Sequence, residues 1–461
     1  MNLFRNAGYA PLLALGEHAP LSESRTQSLL VPMLRNWKSP LTESGSDVNS
    51  NGADVAREAL ERLDPRESTL AYAQVAVDCA RSNQRDLAAL AFRRLASAGR
   101  LAQFEQFPVM LQRVADAAGA GAFGAADACA LLADVAEALL QQMQETASAG
   151  PVSYDVQPLA PAAGVRLTPV AVECARQCVL ARRAALHARV SRLLAAYAAP
   201  GALGRLVGTE GVSRARAFME FSLYAGMVHA AHGADGAALA AWQRVLAVPS
   251  RHVSAVAVAA FKRRLLLHAA ALGTRARPPA CFAAAHVRIL EAQAAPYVAV
   301  ADACAAATTL ATPLAKLSDM RRVLAHDENA GLAARLVHAM PAHCIRRRAR
   351  VYAAVPLPRL AELIGFAAHP LARDANTTVD AALAAYIRDM DDPAVILDAD
   401  QIVRFQPSSS GGADAECRWA DAVEQKAAHV AQLRDRMDRL DRHLALTKEC
   451  VMENQRPAIN G

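Results

Sequence analysis

Apolar residues recur at helical spacing through most of the first 315 residues. Val55, Ala59 and Leu63 fall on one face of a predicted helix, which the Asp64-Pro65 pair ends. The same spacing predicts further helices at about 67–82, 86–98, 101–118, 123–147 and, as a pair, 170–197. Paired helices of similar length, without intervening strand signals, predict an α-helical array.

One helical pair, residues 218–249, carries a repeat signal. Gly226 and Ala238 stand where a tetratricopeptide-type hairpin has the small residues at which its two helices touch. Trp242 stands at the later aromatic wedge, and residues 232–236 supply the turn. One partial repeat within a run of paired helices predicts a helical-repeat solenoid.

The pattern changes near residue 320, where the helices become short. Thr377 or Thr378 is the predicted N-cap of the last of three such helices. Two β-branched segments, Val395–Leu397 and Ile402–Phe405, then flank an acidic turn at residues 398–400. Three helices followed by a β-hairpin predict a winged helix.

The end of the chain combines a Ser/Gly stretch with a strict heptad pattern. Residues 408–412 read Ser-Ser-Ser-Gly-Gly, and apolar residues then recur at every seventh position from Val423 to Val451. A seven-residue seam with charged flanks is typical of a helix that packs against other helices. Two arrangements stay open: the helix leaves its own domain to join a bundle, or it folds back on the same chain.

These patterns together predict a mainly α chain, in which a tetratricopeptide-like helical-repeat solenoid precedes a winged helix and a C-terminal helix. We expect a partly disordered N-terminal extension (1–52), the solenoid (53–315), the winged helix (316–407), a linker (408–414) and a terminal helix with its tail (415–461).

Composition supports an almost all-α protein and gives little sign of nucleic-acid binding. Alanine dominates an apolar fraction of 53%, and only five of the 50 basic residues are lysine. The net charge of +6 is small for 461 residues, and Arg346–Arg350 is the main basic cluster. That cluster predicts either a solvated helix face or a set of ion pairs.

No motif predicts an enzyme, a cofactor or a metal site. The nine cysteines form no Cys-x-x-Cys pair, and Cys174 and Cys178 have no second pair to complete a zinc set. His229 and His232 are interpreted as residues that flank a turn. Phosphate-binding glycine loops and nucleophile elbows are absent from the sequence, so we predict no catalytic residue.

The N-terminus lacks the features of a signal peptide, and the apolar stretches are interrupted by charges such as Lys262 and Asp302. The sequence therefore predicts a soluble, intracellular protein that binds no membrane.

The predicted hairpin has an acidic tip rather than a basic one, because Asp398 and Asp400 lie in its turn. Phosphate contacts require Arg or Lys at such a tip, so the pattern favours pairing with a strand of another chain over duplex binding. The predicted interface residues are Val395, Ile396, Leu397, Ile402, Val403 and Phe405 in the hairpin and Val430, Leu433, Met437, Leu440, Leu444 and Val451 in the terminal helix.

Four segments resemble one known family. They are Phe-x-x-x-Ser-Leu-Tyr-x-Gly-Met-Val at 218–228, Val-Pro-Ser through Lys-Arg-Arg-Leu-Leu-Leu at 248–267, Leu-Asp-Pro-Arg-Glu-Ser-Thr-Leu at 63–70, and the hairpin region 387–405. Through them the chain resembles the third subunits of the COP9 signalosome, which are PCI-domain proteins. The resemblance spans roughly residues 55 to 450.

The resemblance implies a non-catalytic scaffold in a complex that removes a ubiquitin-like modifier from cullins, with the catalytic zinc carried by a different subunit. It implies other PCI- and MPN-domain subunits as partners, cullin-RING ligases as indirect partners, and a location in cytoplasm and nucleus. Alternatives are a PCI subunit of the 26S proteasome lid, a winged-helix nucleic-acid-binding protein, and an enzyme whose site the sequence does not reveal.

Overall fold

The computed structural model describes residues 9, 12, 29–37, 39, 49–120, 122–148, 166–198, 214–248, 252–278, 284–372, 378–390 and 392–406. It divides the chain into two compact units. The first comprises residues 1–307 and 312–340, and the second comprises residues 308–311 and 341–461. We call them the helical unit and the sheet unit.

The helical unit consists of helices, as the sequence predicts. In chain order its helices are α1 (Val31–Arg35), α2 (Asn49–Arg62), α3 (Thr69–Arg81), α4 (Arg85–Ala98), α5 (Leu101–Gln106), α6 (Val109–Gly119), α7 (Ala125–Ser148), α8 (Pro169–Ala181), α9 (Ala184–Tyr197), α10 (Arg214–Ala231), α11 (Asp235–Ala247), α12 (Ala255–Leu272), α13 (Ala284–Gln293), α14 (Ala295–Ala306), α15 (Ala311–Asp319), α16 (Arg321–His326) and α17 (Ala330–Arg348), of which α17 continues into the sheet unit.

Helix α3 is the most enclosed element of the helical unit. All residues from Thr69 to Ala80 are buried, because α2, α4 and α6 pack around this helix. The few polar side chains of α3, such as Gln74 and Asp78, are therefore buried together with its apolar ones. The alanine-rich sequence of α3 makes this possible, since small side chains let the neighbouring helices approach closely.

The N-terminal residues are tied to α3 by a buried carboxylate. Trp37 Nε1 donates a hydrogen bond to Asp78 Oδ2 at 2.9 Å, and the Tyr9 hydroxyl donates to the same oxygen at 3.4 Å. Gln74 Nε2 donates to Asp78 Oδ1 at 3.0 Å, and the Tyr9 and Trp37 rings are stacked. Tyr9 and Trp37 of the 1–52 segment thus pack at α3, which the sequence did not predict.

The α10–α11 pair is the predicted helical hairpin. Trp242 is completely buried, and its Nε1 donates a hydrogen bond to the Leu223 carbonyl at 3.2 Å. Gly226 lies directly against the indole, so that a Cβ at this position would be 2.3 Å from Trp242 Nε1. The structure therefore shows a close approach between Gly226 and the predicted wedge Trp242. The predicted contact between Gly226 and Ala238 stays a prediction. Gly233 makes the turn with φ of 85°.

The structure places the division between the units after Met340, later in the chain than the predicted boundary at 315/316. Asp327 explains the difference, because it accepts hydrogen bonds from Lys262 Nζ at 2.7 Å and from the Tyr297 hydroxyl at 2.8 Å. These bonds attach the turn that precedes α17 to two other helices, α12 and α14.

A second link holds the first part of α17 in the helical unit. Arg335 Nη2 donates to both carboxylate oxygens of Asp235, at 2.7 and 2.8 Å, and its Nη1 donates to the Ala230 carbonyl at 2.8 Å. A bidentate arginine–carboxylate pair fixes direction as well as distance.

The sheet unit joins a small sheet to two helices. In chain order its elements after α17 are β1 (Ala354–Pro356), α18 (Leu357–Ile364), two single-turn 3₁₀ segments (Phe366–Ala368 and Pro370–Ala372), α19 (Val379–Asp389), β2 (Val395–Leu397) and β3 (Ile402–Phe405). The strands form one antiparallel sheet in the order β1-β3-β2.

Local signals set the ends of the two helices in this unit. Thr378 caps α19, since its side chain accepts a hydrogen bond from the Ala381 amide at 3.3 Å. Gly365 ends α18 with φ of 68°, a left-handed conformation that glycine adopts without steric cost. The predicted linker and terminal helix, residues 408–461, lie outside the described residues.

Gly226→Ala should destabilise the helical unit by about 1–3 kcal/mol, because the new methyl group overlaps the buried Trp242 ring. Gly236→Ala is the matched control: a Cβ there meets open space within α11, so we expect a change between zero and a gain of about 1 kcal/mol. Urea unfolding followed by Trp fluorescence compares the two variants. Equal stability of both variants would show that α10 and α11 do not pack as described.

Candidate assembly interface

The hairpin predicted from the sequence is part of a three-stranded sheet. Strand β2 pairs with β3 as expected, and β1 pairs with the opposite side of β3, with Val355 opposite Val403. The predicted two-stranded hairpin therefore has a third strand, β1, and β3 is the central strand. Its backbone is bonded on both sides and offers no free edge.

One face of the sheet forms the core of the sheet unit. Val355, Val403, Val395 and Phe405 are each at most 7% exposed on this face. Helix α18 covers β1 and β3, while α19 covers β2. The residues alternate between buried and exposed along each strand, as expected for a sheet with one covered face. Three predicted interface side chains, those of Val395, Val403 and Phe405, are thus part of the unit's own core.

The opposite face of the sheet is uncovered within the described residues, and apolar side chains flank the central Arg404 on it. The register places Ala354, Arg404 and Ile396 in one row across the three strands. Pro356 and Ile402 form the next row. Ile396 is 39% exposed, which is high for an isoleucine in a small sheet.

The two outer edges of the sheet differ in their hydrogen-bonding groups. In an antiparallel ladder, alternate residues direct their N–H and C=O groups toward the partner strand and away from it. On the β1 side, Phe405 N donates to the Ala353 carbonyl at 2.9 Å and Leu357 N donates to Gln401 O at 2.8 Å. The backbone groups of Ala354 and Pro356 therefore point to the outer edge of β1. Pro356 has no N–H to donate there.

The β2 edge carries outward donors and acceptors. Asp398 N donates to Ile402 O at 2.9 Å and Gln406 N donates to Ala394 O at 3.0 Å, which places the groups of Val395 and Leu397 on the outer side. The Val395 amide bonds to Asp392 O at 3.0 Å in the preceding turn. Leu397 thus presents both its N–H and its C=O at the outer edge.

Charges at the tip of the hairpin are paired with each other. Arg404 forms an ion pair with Asp398 across the turn, and Asp400 remains as a second acidic group. Gln401 makes the turn with φ of 58°. Beside the acidic tip predicted from the sequence there is therefore one arginine, Arg404, whose charge is paired with Asp398.

The basic cluster at the end of α17 is engaged within the sheet unit. Arg346 Nε lies 2.8 Å from an oxygen of Asp392, whose side chain is only 14% exposed. Burial alone would raise the pKa of Asp392, but hydrogen bonds from Arg346 and from the Ala394 amide lower it below its usual value. Arg348 Nη2 donates to the Leu363 carbonyl at 2.8 Å. Arg346 thus forms one ion pair of the predicted kind, whereas Arg348 bonds to a backbone carbonyl.

His229 and His232 flank the turn between α10 and α11, as the sequence predicts. Within the described part of the chain, His, Cys, Asp and Glu form no group of three that is arranged to hold a metal ion. His229 is buried and shares a hydrogen bond of 2.8 Å with Ser191 Oγ. Burial lowers the pKa of His229 to about 4, so its ring is neutral near pH 7.

Three buried thiols meet in the helical unit. Cys129 of α7 lies beside Cys174 of α8, with each sulfur 3.9 Å from the other residue's carbonyl oxygen. The interaction with Cys129 and burial raise the pKa of Cys174 well above its ordinary value. Sequence spacing identified Cys174 and Cys178 but could not identify Cys129, which lies on another helix.

In the described ranges, no helix is long and apolar enough to cross a bilayer.

The twelve predicted interface residues are therefore divided by the structure. Val395, Val403 and Phe405 are buried, Leu397 and Ile402 are half-buried, and Ile396 is exposed. The remaining six lie outside the described residues: Val430, Leu433, Met437, Leu440, Leu444 and Val451. Their role at an interface stays a prediction. Ala354 and Pro356, which border the same exposed face, were not predicted.

Comparison with known proteins identifies the helical part of the chain. A family model described as COP9 signalosome complex subunit 3, N-terminal helical repeats, matches residues 35–284. The match covers more than half of the chain and lies within the helical unit. A search of curated proteins finds no match. The matched segment contains the α10–α11 hairpin.

Val403→Ala should lower the stability of the sheet unit by about 2 kcal/mol, because it removes two buried methyl groups and leaves a cavity. Ile396→Ala, on the exposed face, should change stability by no more than about 0.5 kcal/mol. Denaturant unfolding of the two variants measures the difference. If Ile396→Ala were the more destabilising, the two faces of the sheet would be assigned the wrong way round.

Proposed function

The chain belongs to the COP9 signalosome subunit 3 family by its helical repeats, and on that premise we propose that it is a non-catalytic scaffold subunit of such a signalosome. The complex would remove a ubiquitin-like modifier from cullin-RING ligases, with the chemistry performed by another subunit. The partners would be other PCI- and MPN-domain subunits, and the location cytoplasm and nucleus.

One observation carries this proposal: the sheet unit has one edge suited to backbone pairing. The outer edge of β1 is interrupted by Pro356, whereas Leu397 on β2 directs an N–H and a C=O outward. An unpaired strand edge is a template for a strand of another chain. Lateral pairing through β2 would place this subunit beside a neighbour of the PCI type.

The exposed face of the sheet would add apolar contact beside that edge. Ile396 projects from β2 itself, and Ile402 lies on the same face of the neighbouring strand β3. A strand that pairs with β2 extends this face and can cover Ile396 with its own side chains. Backbone pairing would give affinity, and the side chains around Ile396 would give selectivity.

The terminal helix completes the proposed assembly. The heptad positions from Val423 to Val451 lie outside the described residues, and their apolar seam supports a role in a helical bundle shared with other subunits. The seam and the sheet edge would be two separate attachments, so loss of one should weaken assembly without abolishing it.

A tagged chain, purified from the cells that produce it, should co-purify with activity that cleaves a ubiquitin-like modifier from cullins. Leu397→Pro should reduce the recovered activity and the bound subunits at least about tenfold, because it removes the outward N–H of the β2 edge. Mass spectrometry and the cleavage assay measure both quantities.

Ala354→Pro is the matched control, since it removes an outward N–H from the β1 edge instead. Its assembly should equal that of the wild type, and thermal melting of both variants confirms that they fold. Weakening by Ala354→Pro alone would assign pairing to β1 and contradict the proposal. Co-purification with proteasome ATPases instead of the cullin-directed activity would place the chain in the proteasome lid.

A further inference from the structure

An arginine-lined groove lies in the helical unit, at the C-terminal end of α12. It encloses about 1190 Å³ between α12, the connection after it and the start of α13. Its lining residues are Arg264, His268, Thr274, Arg275, Arg277, Pro278, Ala284, Val287, Arg288 and Glu291. We call this the arginine groove.

The charge of the arginine groove is strongly one-sided. Four arginines line it, against one glutamate. Arg275 is neutralised, because it pairs with Glu291 and also with Asp302 at 3.2 Å. Arg264, Arg277 and Arg288 have no carboxylate within ion-pair distance in the described ranges.

Arg264 is held in a fixed position within the groove. Its Nη1 donates a hydrogen bond of 2.7 Å to the Arg277 carbonyl, which links α12 to the connection that follows. Burial lowers the pKa of Arg264, which shows that its positive charge is partly desolvated. An anion beside this guanidinium would offset that cost, and the nitrogens not used by Arg277 remain as donors.

The groove also has apolar walls. Pro278, Ala284 and Val287 line it between the arginines. On α12, His268 is one turn after Arg264, and Leu272 follows one turn later on the same side of the helix. Leu272 is 59% exposed, an unusual position for a leucine. A ligand that fits these surfaces combines negative charge with apolar side chains.

We propose that the arginine groove binds an acidic peptide segment of a partner protein, in which Asp or Glu residues flank an apolar side chain. The carboxylates bind to Arg264, Arg277 and Arg288, and the apolar side chain packs on Val287 and Pro278. Arginine suits this role because its planar guanidinium binds a carboxylate through two parallel hydrogen bonds.

A nucleic acid fits the arginine groove less well. Single strands bind on grooves where aromatic rings stack with the bases, and no Phe, Tyr or Trp is among the lining residues that the structure describes. The whole chain carries only +6, without the broad basic surface that follows a phosphate backbone. The apolar walls favour peptide side chains.

This binding site is independent of the proposed pairing through β2, since it belongs to the helical unit and the β2 edge belongs to the sheet unit. A failure of one proposal therefore leaves the other intact. Through the arginine groove, the helical unit would bind an acidic peptide whether or not the sheet unit assembles as proposed.

Fluorescence anisotropy tests the proposal with the full chain and a fluorescein-labelled peptide of Glu-Glu-Leu-Glu repeats. We expect saturable binding that weakens as salt increases, and no binding of the matched Gln-Gln-Leu-Gln peptide. Arg277→Glu combined with Arg288→Glu should weaken binding at least about tenfold, since both changes reverse charges that face the peptide.

The matched control combines Arg93→Glu with Arg100→Glu, which changes the net charge equally at two exposed positions of the helical unit. It should bind like the wild type. The pair Arg277→Lys and Arg288→Lys keeps the charge but loses the two-bond guanidinium contact, so its affinity should lie between that of the wild type and that of the charge reversal, which separates charge from folding. Thermal melting of each variant accompanies the titrations.

Three results would overturn the proposal. The first is equal binding by the wild type and the Arg277/Arg288 reversal. The second is equal weakening by the Arg93/Arg100 control, which would show attraction to overall charge only. The third is tighter binding of an oligo(dT) strand than of the peptide, dependent on Arg277 and Arg288, which would make the groove a nucleic-acid site.

Discussion

The pairing of β1 with β3 is the interaction on which the architecture of the sheet unit depends. Phe405 N bonds to Ala353 O and Leu357 N bonds to Gln401 O, so the strand before α18 occupies one side of the hairpin. A two-stranded hairpin alone has two open edges and is marginally stable in water. The third strand gives β3 a partner on both sides and leaves two outer edges: on β1 the row of donors is interrupted by Pro356, and on β2 Leu397 presents a donor and an acceptor.

The helical unit depends on close approach between helices rich in small residues. Gly226 allows α10 to lie against the Trp242 ring, and the alanines of α3 allow three neighbours to enclose it. Polar side chains then fix the ends of the helices. Asp78 binds Trp37 and Tyr9, and Asp327 binds Lys262 and Tyr297. Asp78 is buried and Asp327 is half-buried, and each carboxylate accepts hydrogen bonds from more than one donor, which offsets its desolvation.

Local sequence signals predicted which helices and strands form better than they predicted which of these elements pack together. Helical spacing predicted the hairpin around Trp242, and Thr378 was correctly identified as a candidate cap. Strand β1 was not predicted, because three residues before a helix show no alternation and gain strand geometry only by pairing with β3. The Asp78 cluster and the arginine groove join residues from separate elements, and periodicity reports only neighbours along one element.

The most direct test of the open edge is hydrogen exchange at single amides, measured in the free chain and in the assembled complex. The account predicts that the Leu397 amide exchanges rapidly in the free chain and becomes protected on assembly. The Val403 amide, which lies on the central strand, should stay protected in both states. A Leu397 amide that exchanges equally in the free and assembled states would contradict pairing through β2.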